Sequence, residues 1–165
     1  MKSRMIALVL CALAVTAMCG CTAKAIYLDE REITNGPKAA EGPDAIVSRF
    51  YDWYVDYVSG GSSGGRRNAL VDGVYRDRSE LSDEFKQRLE ALLGGDEPVR
   101  ADPFLLAQDV PQSIACGEAK VQGDAATVVV RCYWNPDTQY ESEQTLAVTL
   151  ERAGESWQIT GVRKG

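Results

Sequence analysis

Two carboxylates bracket an apolar stretch in the second half of the chain. Asp102 and Asp109 stand on either side of Phe104-Leu105-Leu106, with Gln108 beside the second. A carboxylate at the mouth of an apolar cavity can bind a cation or take a proton as a general base. The same residues also suit plain structure: Asp102 capping the turn ahead of Pro103, Asp109 accepting backbone N–H bonds in a loop. No second acidic motif at a defined spacing accompanies them, and periodicity does not place either one in a cavity. A second group is aromatic. Tyr51, Trp53, Tyr54 and Tyr57 either wall a site for an apolar ligand or form core where a helix meets a sheet, with one or two ring edges left exposed. Tyr75-Arg76-Asp77-Arg78 reads as a protein contact patch or as a solvated loop.

The missing residue types narrow the chemistry. The chain has 0 histidines, which removes Ser-His-Asp and Cys-His catalysis, histidine metal sites and imidazole proton shuttles. An enzyme built on this chain would run on Asp, Glu, Tyr, Lys or Arg. Gly60-Gly61-Ser62-Ser63-Gly64-Gly65 lacks the Lys-Ser/Thr ending and the preceding strand of a phosphate loop, and reads as a flexible connector. No cofactor motif is present. The 18 Lys+Arg against 24 Asp+Glu become 16 against 24, a net of −8, once Lys2 and Arg4 are set aside as part of a leader. That balance argues against a nucleic-acid groove and against direct adhesion to anionic headgroups. The doublet Arg66-Arg67 sits in the glycine loop, where it reads as a solvated tip.

The first residues carry an address. Lys2 and Arg4 precede an apolar run from Met5 to Ala17, followed by Met18-Cys19-Gly20-Cys21. The run is a secretory signal, too short to span a bilayer. The segment resembles the lipobox of bacterial lipoproteins: Gly20 supplies the small residue at the cut, and Cys21 becomes the lipidated first residue. Cys19 follows the bulky Met18 and is a poor cleavage site. At roughly 0.8 kcal/mol per buried methylene, two or three acyl chains on Cys21 make an anchor that hardly dissociates. Thr22 is not the aspartate that retains lipoproteins in the inner membrane, so the resemblance favours the outer membrane, with the domain facing the periplasm. Residues 1–20 are thus expected to be a signal peptide and 21–42 a lipidated N-terminus and tether, or a short ordered arm through Ile26, Tyr27 and Leu28. Residues 43–165 are expected to form a single α+β domain.

The elements that must position the candidate residues follow from spacing. A helix opens at Pro43, with Asp44 at its positive end, and stops at Ser59-Gly60. Ile46, Phe50, Trp53, Tyr54, Tyr57 and Val58 recur along it at helical spacing, and Val47 and Tyr51 widen the face. A long loop follows, in which Leu70-Val71 and Val74-Tyr75 are candidates for pinning. A second helix runs from Ser79 or Ser82 to Leu93, with Leu81, Phe85, Leu89 and Leu92 as its stripe and Gly94-Gly95 ending it. Residues 102–111 are irregular, with a proline near each end. Four strands follow, at about 113–121, 126–134, 143–152 and 157–162, with turns at Gly123-Asp124, Asn135-Pro136-Asp137 and Ala153-Gly154-Glu155. Helices first and a meander afterwards give an α+β fold: two or more N-terminal helices packed on a curved antiparallel four-stranded sheet.

These residues resemble a known family. Phe50-Tyr51-Asp52-Trp53-Tyr54, Leu70-Val71-Asp72-Gly73, Asp102-Pro103-Phe104-Leu105 with Ala107-Gln108-Asp109, the Gly-Asp hairpin and a final Trp-bearing strand are similar to a family of bacterial envelope proteins, many of them lipoproteins, known only as a domain of unknown function. The resemblance covers about residues 43–163. It implies a cystatin-like cone of the nuclear-transport-factor-2 type, in which a curved sheet wraps a long helix around a pocket. In ketosteroid-isomerase-like relatives of that fold an Asp base works with a Tyr hydrogen bond; here Tyr51, Tyr54 or Tyr57 would take the tyrosine part.

Cys116 and Cys132 are the cysteines left after Cys21, and an exported domain tends to pair such residues. A two-residue turn at Gly123-Asp124 with no irregularity puts Cys116 opposite Arg131 and sends Cys132 to the other face. A bulge near Gly117-Glu118, or a three-residue turn, puts both on one face, and the inward pattern Ile114, Cys116, Ala119, Val121 has the parity switch that a bulge makes. A bridge therefore stays open at this stage.

The expected function is that of a membrane-tethered, non-enzymatic module, binding a small apolar ligand in the cone or an envelope protein. The alternatives are an Asp/Tyr enzyme, and an inhibitor or immunity protein of a cell-wall hydrolase working through a protruding loop at 60–68. Ligand binding calls for an enclosed apolar pocket between helix and sheet; partner docking calls for a filled cone and an exposed apolar patch.

Overall fold

The computed structural model describes residues 41–61 and 65–165. The segment expected to be a signal peptide, Cys21, the expected tether as far as residue 40 and the centre of the glycine-serine stretch, 62–64, lie outside the described residues.

Helix α1 spans Pro43–Val58, with proline in its first turn and Asp44 beside the unpaired N–H groups. Ile46, Val47, Phe50, Tyr51, Tyr54 and Val58 face inward and are buried, whereas Trp53 and Tyr57 are only partly covered. The Ser59 N–H donates to the Val55 carbonyl at 2.9 Å and closes the helix. Gly60 then turns the chain with φ +87°. A Cβ there would stand 2.2 Å from the Gly65 carbonyl oxygen, so the turn needs glycine on both counts.

Helix α2 spans Asp83–Leu93 and is capped by Ser82, whose hydroxyl accepts the Phe85 N–H at 3.2 Å. Its inward stripe departs from the expectation at the end. Phe85 and Leu89 are buried, but Leu92 is 48% exposed, and Leu93, four residues on from Leu89, packs against the core instead. Between the helices Val74–Asp77 forms a 3-10 turn where the sequence reads as loop, and Tyr75 within it is fully buried. Leu70 is pinned as expected; its neighbour Val71 is not.

Strands β1 (Ser113–Gln122), β2 (Ala125–Trp134), β3 (Ser142–Ala153) and β4 (Ser156–Lys164) form an antiparallel meander in the order β1-β2-β3-β4. Helix α1 packs over β1, β2 and β4, and α2 over β4. The inner face carries Ala126, Val128, Val130 and Cys132 from β2, Leu146, Val148 and Leu150 from β3, and Trp157 and Ile159 from β4. β1 holds the bulge that its apolar parity calls for, with a register shift between Cys116 and Ala119.

Residues 80–82 add a connection that the hydrophobic pattern does not contain. Leu81 makes a parallel bridge to Ile159; the Ile159 N–H donates to the Glu80 carbonyl at 2.7 Å, and the Ser82 N–H to the Ile159 carbonyl at 3.0 Å. This short segment covers part of the free edge of β4 and brings the Glu80 side chain within reach of α1.

Candidate functional site

The irregular block around Asp102 is a plug in the core. Phe104 is fully buried among Tyr54, Phe50, Phe85 and Tyr75, with ring centroids 4.9, 5.1, 5.9 and 6.5 Å away. Two tyrosines of α1 hold the loop that carries it. The Tyr51 hydroxyl donates to the Phe104 carbonyl at 2.8 Å, and the Tyr54 hydroxyl donates to Asp102 Oδ2. From β3, Gln144 Nε2 donates to the Leu105 carbonyl at 2.8 Å. Asp102 Oδ1 accepts the N–H groups of Phe104 at 2.8 Å and Leu105 at 3.0 Å, the capping geometry of an Asx turn. Both carboxylate oxygens are thus engaged, one within the loop and one by α1.

Burial pushes the Asp102 carboxyl above its ordinary 3.8, against the opposing pull of Tyr54 and the two N–H donors. The Tyr54 phenol is raised far above its usual range, by burial first and by the adjoining carboxylate second.

The other expected site residues are dispersed around this plug. Asp102 and Gln108 share an open hollow of about 350 Å³ with Asn68, Leu70, Val71, Leu93, Val99 and Arg100. Asp109 lines a different hollow, beside Trp134, Asn135 and Gln144; its carbonyl accepts the Trp134 indole N–H at 3.2 Å, and its side chain is exposed. The two aspartates therefore do not meet in one site, because the loop between them folds inward on Phe104. Around the first hollow Val71 is 80% exposed and Val99 37%. This is where apolar side chains of the described residues are offered to solvent together.

Trp53 and Tyr57 leave the core on the same flank of α1. The Arg78 guanidinium lies 4.3 Å from the Trp53 ring centroid, and that of Arg67 lies 5.4 Å from the Tyr57 ring. The Tyr57 hydroxyl donates to Asp72 at 3.0 Å. Beneath Arg78 sits Glu80, 4% exposed, accepting from Arg78 Nη2 at 2.6 Å and from Arg49 Nε at 3.0 Å. Arg49 also pairs with Glu41. Sequence reasoning missed this cluster, since its members are drawn from α1, the 65–78 loop and the edge segment; the one local signal was the Tyr75–Arg78 stretch.

Burial works to raise the Glu80 carboxyl, but the bonds from Arg49, its own backbone and Arg78 outweigh it and hold the group below its ordinary 4.5. The cluster therefore stabilises the fold above pH 4.5, and that contribution is lost as pH falls through the lowered value. Glu80→Gln is expected to cost about 2 kcal/mol at neutral pH, from two weakened charge-assisted bonds. The gap to the parent should close in acid. Urea titrations at several pH values check this, and a gap independent of pH would refute it.

Cys116 and Cys132 lie on one face, as the bulge allows, but they are free thiols. Cys116 stands opposite Val130 and Cys132 opposite Ile114, so they are diagonal neighbours, not partners, and that spacing is long for a bridge. Burial raises both thiols, that of Cys132 to about 11, with Cys116 adding to it. Thiolate chemistry is suppressed at both.

No protein-family model and no curated protein matches the chain. Solved structures are similar at the level of the fold. A chain in the selenomethionine form of the type VI effector–immunity complex Tae3–Tai3 from Ralstonia pickettii has a TM-score of 0.54 at 21% identity, covering 74% of this chain and 96% of that one. The native form of the same complex has a TM-score of 0.52 at 20% identity, with 74% and 94% covered. A protein of unknown function from Bacteroides thetaiotaomicron has a TM-score of 0.53 at 17% identity, with 73% and 88% covered.

Proposed function

We propose that this chain is a lipid-anchored, non-enzymatic envelope protein whose folded domain works by binding another protein. One observation carries the reading: the space between α1 and the sheet, where a cone-bound ligand would sit, is occupied by the protein's own side chains. Phe50, Tyr51, Tyr54, Tyr75 and Phe104 are buried there against the inner face of the sheet. Meanwhile exposed apolar groups gather beside the first hollow. A filled interior with an external apolar patch is the pattern of partner docking. The committed oxygens of Asp102 speak against its use as a base in an Asp/Tyr enzyme, and Asp109 stands apart from the tyrosines.

The fold neighbours favour one form of this reading. They include a chain from an effector–immunity complex, which supports an inhibitor or immunity role, with a cell-wall hydrolase as the protein bound. In vivo crosslinking of the full-length lipoprotein tests the reading: one dominant protein adduct, which also loses wall-hydrolysing activity when the lipoprotein is added back, supports it. A chain that yields no protein adduct would sink it.

The anchor is part of the proposal. Cys21→Ser removes the only acyl attachment point in the lipobox, and more than nine-tenths of the protein is expected to move from the membrane pellet to the soluble fraction. Unchanged sedimentation with the membrane would refute anchoring through Cys21.

A further inference from the structure

We infer that the flank of α1 formed by Arg49, Trp53 and Tyr57, with Arg78 and Arg67 laid against its rings, is the docking face, and that what it receives is a carboxylate-bearing segment of a protein. This rests on the protein-binding reading above and adds the surface and its chemistry.

The three helix residues are spaced four apart and form one ridge. The other aromatic residues of α1, Phe50, Tyr51 and Tyr54, are buried; these two rings are half out. Each is overlaid by a guanidinium. Arg78 is held in place from below: Glu80 fixes it and Arg49 together, and Glu80 is itself set by the backbone bonds of its segment to β4. A guanidinium already ordered against a ring loses little freedom on binding, and a planar arginine prefers a carboxylate. Trp, Tyr and Arg are the side chains that dominate binding energy in protein interfaces.

Charge points the same way. Residues 1–40 hold five of the 18 basic and three of the 24 acidic residues, leaving 13 against 21 in 41–165, a net of −8. Within that acidic body, Arg49 and Arg78 on this flank are balanced by Glu41 and Glu80, and Arg67 over Tyr57, with its exposed chain neighbour Arg66, supplies the charge left for a partner. Among the described residues, Arg66 and Arg67 have no carboxylate at ion-pair distance. An acidic segment is repelled by most of the domain and steered to this flank. The Tyr57–Asp72 bond joins the ridge to the loop carrying Val71, so the apolar hollow continues the same surface.

Two measurements test the face. The first uses the full-length protein in detergent and a capped hexaglutamate peptide as probe, followed by NMR. The expected result is a salt-sensitive shift of the Trp53 indole N–H and the Arg67 and Arg78 Nε signals, with Trp134 and Trp157 unmoved and capped hexalysine without effect. Arg66→Glu/Arg67→Glu, at two exposed positions, should weaken the response at least tenfold. No shift, or shifts centred on Trp134 or Trp157, overturns the inference.

The second places a photo-crosslinking residue at Val71, beside the ridge, or at Glu151, on the outer face of the sheet, in cells. An adduct with one protein from Val71, lost in Arg66→Glu/Arg67→Glu, supports the face. An adduct from Glu151 alone overturns the face and leaves protein binding standing. No protein adduct from either position overturns both.

Discussion

Phe104→Ala is expected to destabilise the domain by about 4 kcal/mol, the upper range for removing a fully buried aromatic ring. The ring is 0% exposed and touches aromatic residues from α1, the 3-10 turn and α2. Its removal opens a cavity at the point where these elements meet, and the loop above cannot collapse into it. That loop is tied at the Phe104 carbonyl, the Leu105 carbonyl and the Asp102 carboxylate. Phe104→Leu refills part of the space and should cost about 1.5 kcal/mol. Equilibrium urea unfolding with an unchanged m-value checks both. A loss under 1 kcal/mol for the alanine variant would mean that the ring is not the keystone described above.

Asp102→Ala is expected to cost about 3 kcal/mol, while Asp102→Asn stays within about 1 kcal/mol of the parent. Alanine strands two backbone N–H donors and the Tyr54 hydroxyl in a largely buried place. Asparagine keeps an oxygen for the two N–H groups and offers an amide to the tyrosine oxygen. The pH dependence has the opposite sign to that of Glu80. Because burial raises the Asp102 carboxyl above 3.8, its favourable contribution is complete below that value and is lost as pH rises through the raised one. Asparagine cannot ionise, so its standing relative to the parent should improve from acid to neutral pH. Denaturant titrations of both variants at acid and neutral pH check this. If asparagine proves as damaging as alanine, the carboxylate charge is required, and a purely structural role for Asp102 fails.

Helix α1 was legible because its signals are local: Pro43 and Asp44 at the start, Ser59-Gly60 at the end, and large apolar residues on one face between them. Ser82 marked α2 for the same reason. The strands showed through alternation, and the bulge in β1 showed as a parity switch from Cys116 to Ala119. The choice of Leu93 over Leu92 at the end of α2 was not readable, since both spacings fit a helical stripe and only the packed neighbour decides. Asp102 carried two open readings in the sequence. The structure resolves its geometry through Tyr54 and the two N–H groups of its own loop.

What lies furthest from the sequence are the contacts that join distant segments. Glu80 meets Arg49 across 31 positions, and Tyr54 meets Asp102 across 48. Neither pair leaves a periodicity or a motif, because loop closure, not local propensity, brings the groups together. The sequence by itself determined the order of helices and strands, most of the faces they bury, and the lack of histidine for imidazole chemistry. Each follows from residue type and short-range spacing. Only the tertiary structure decided that Phe104 fills the space beneath α1, that Asp102 and Asp109 part company, and that Trp53 and Tyr57 stand outside under two guanidinium groups. Those outcomes depend on which side chains compete for one shared interior, and that competition is settled in three dimensions.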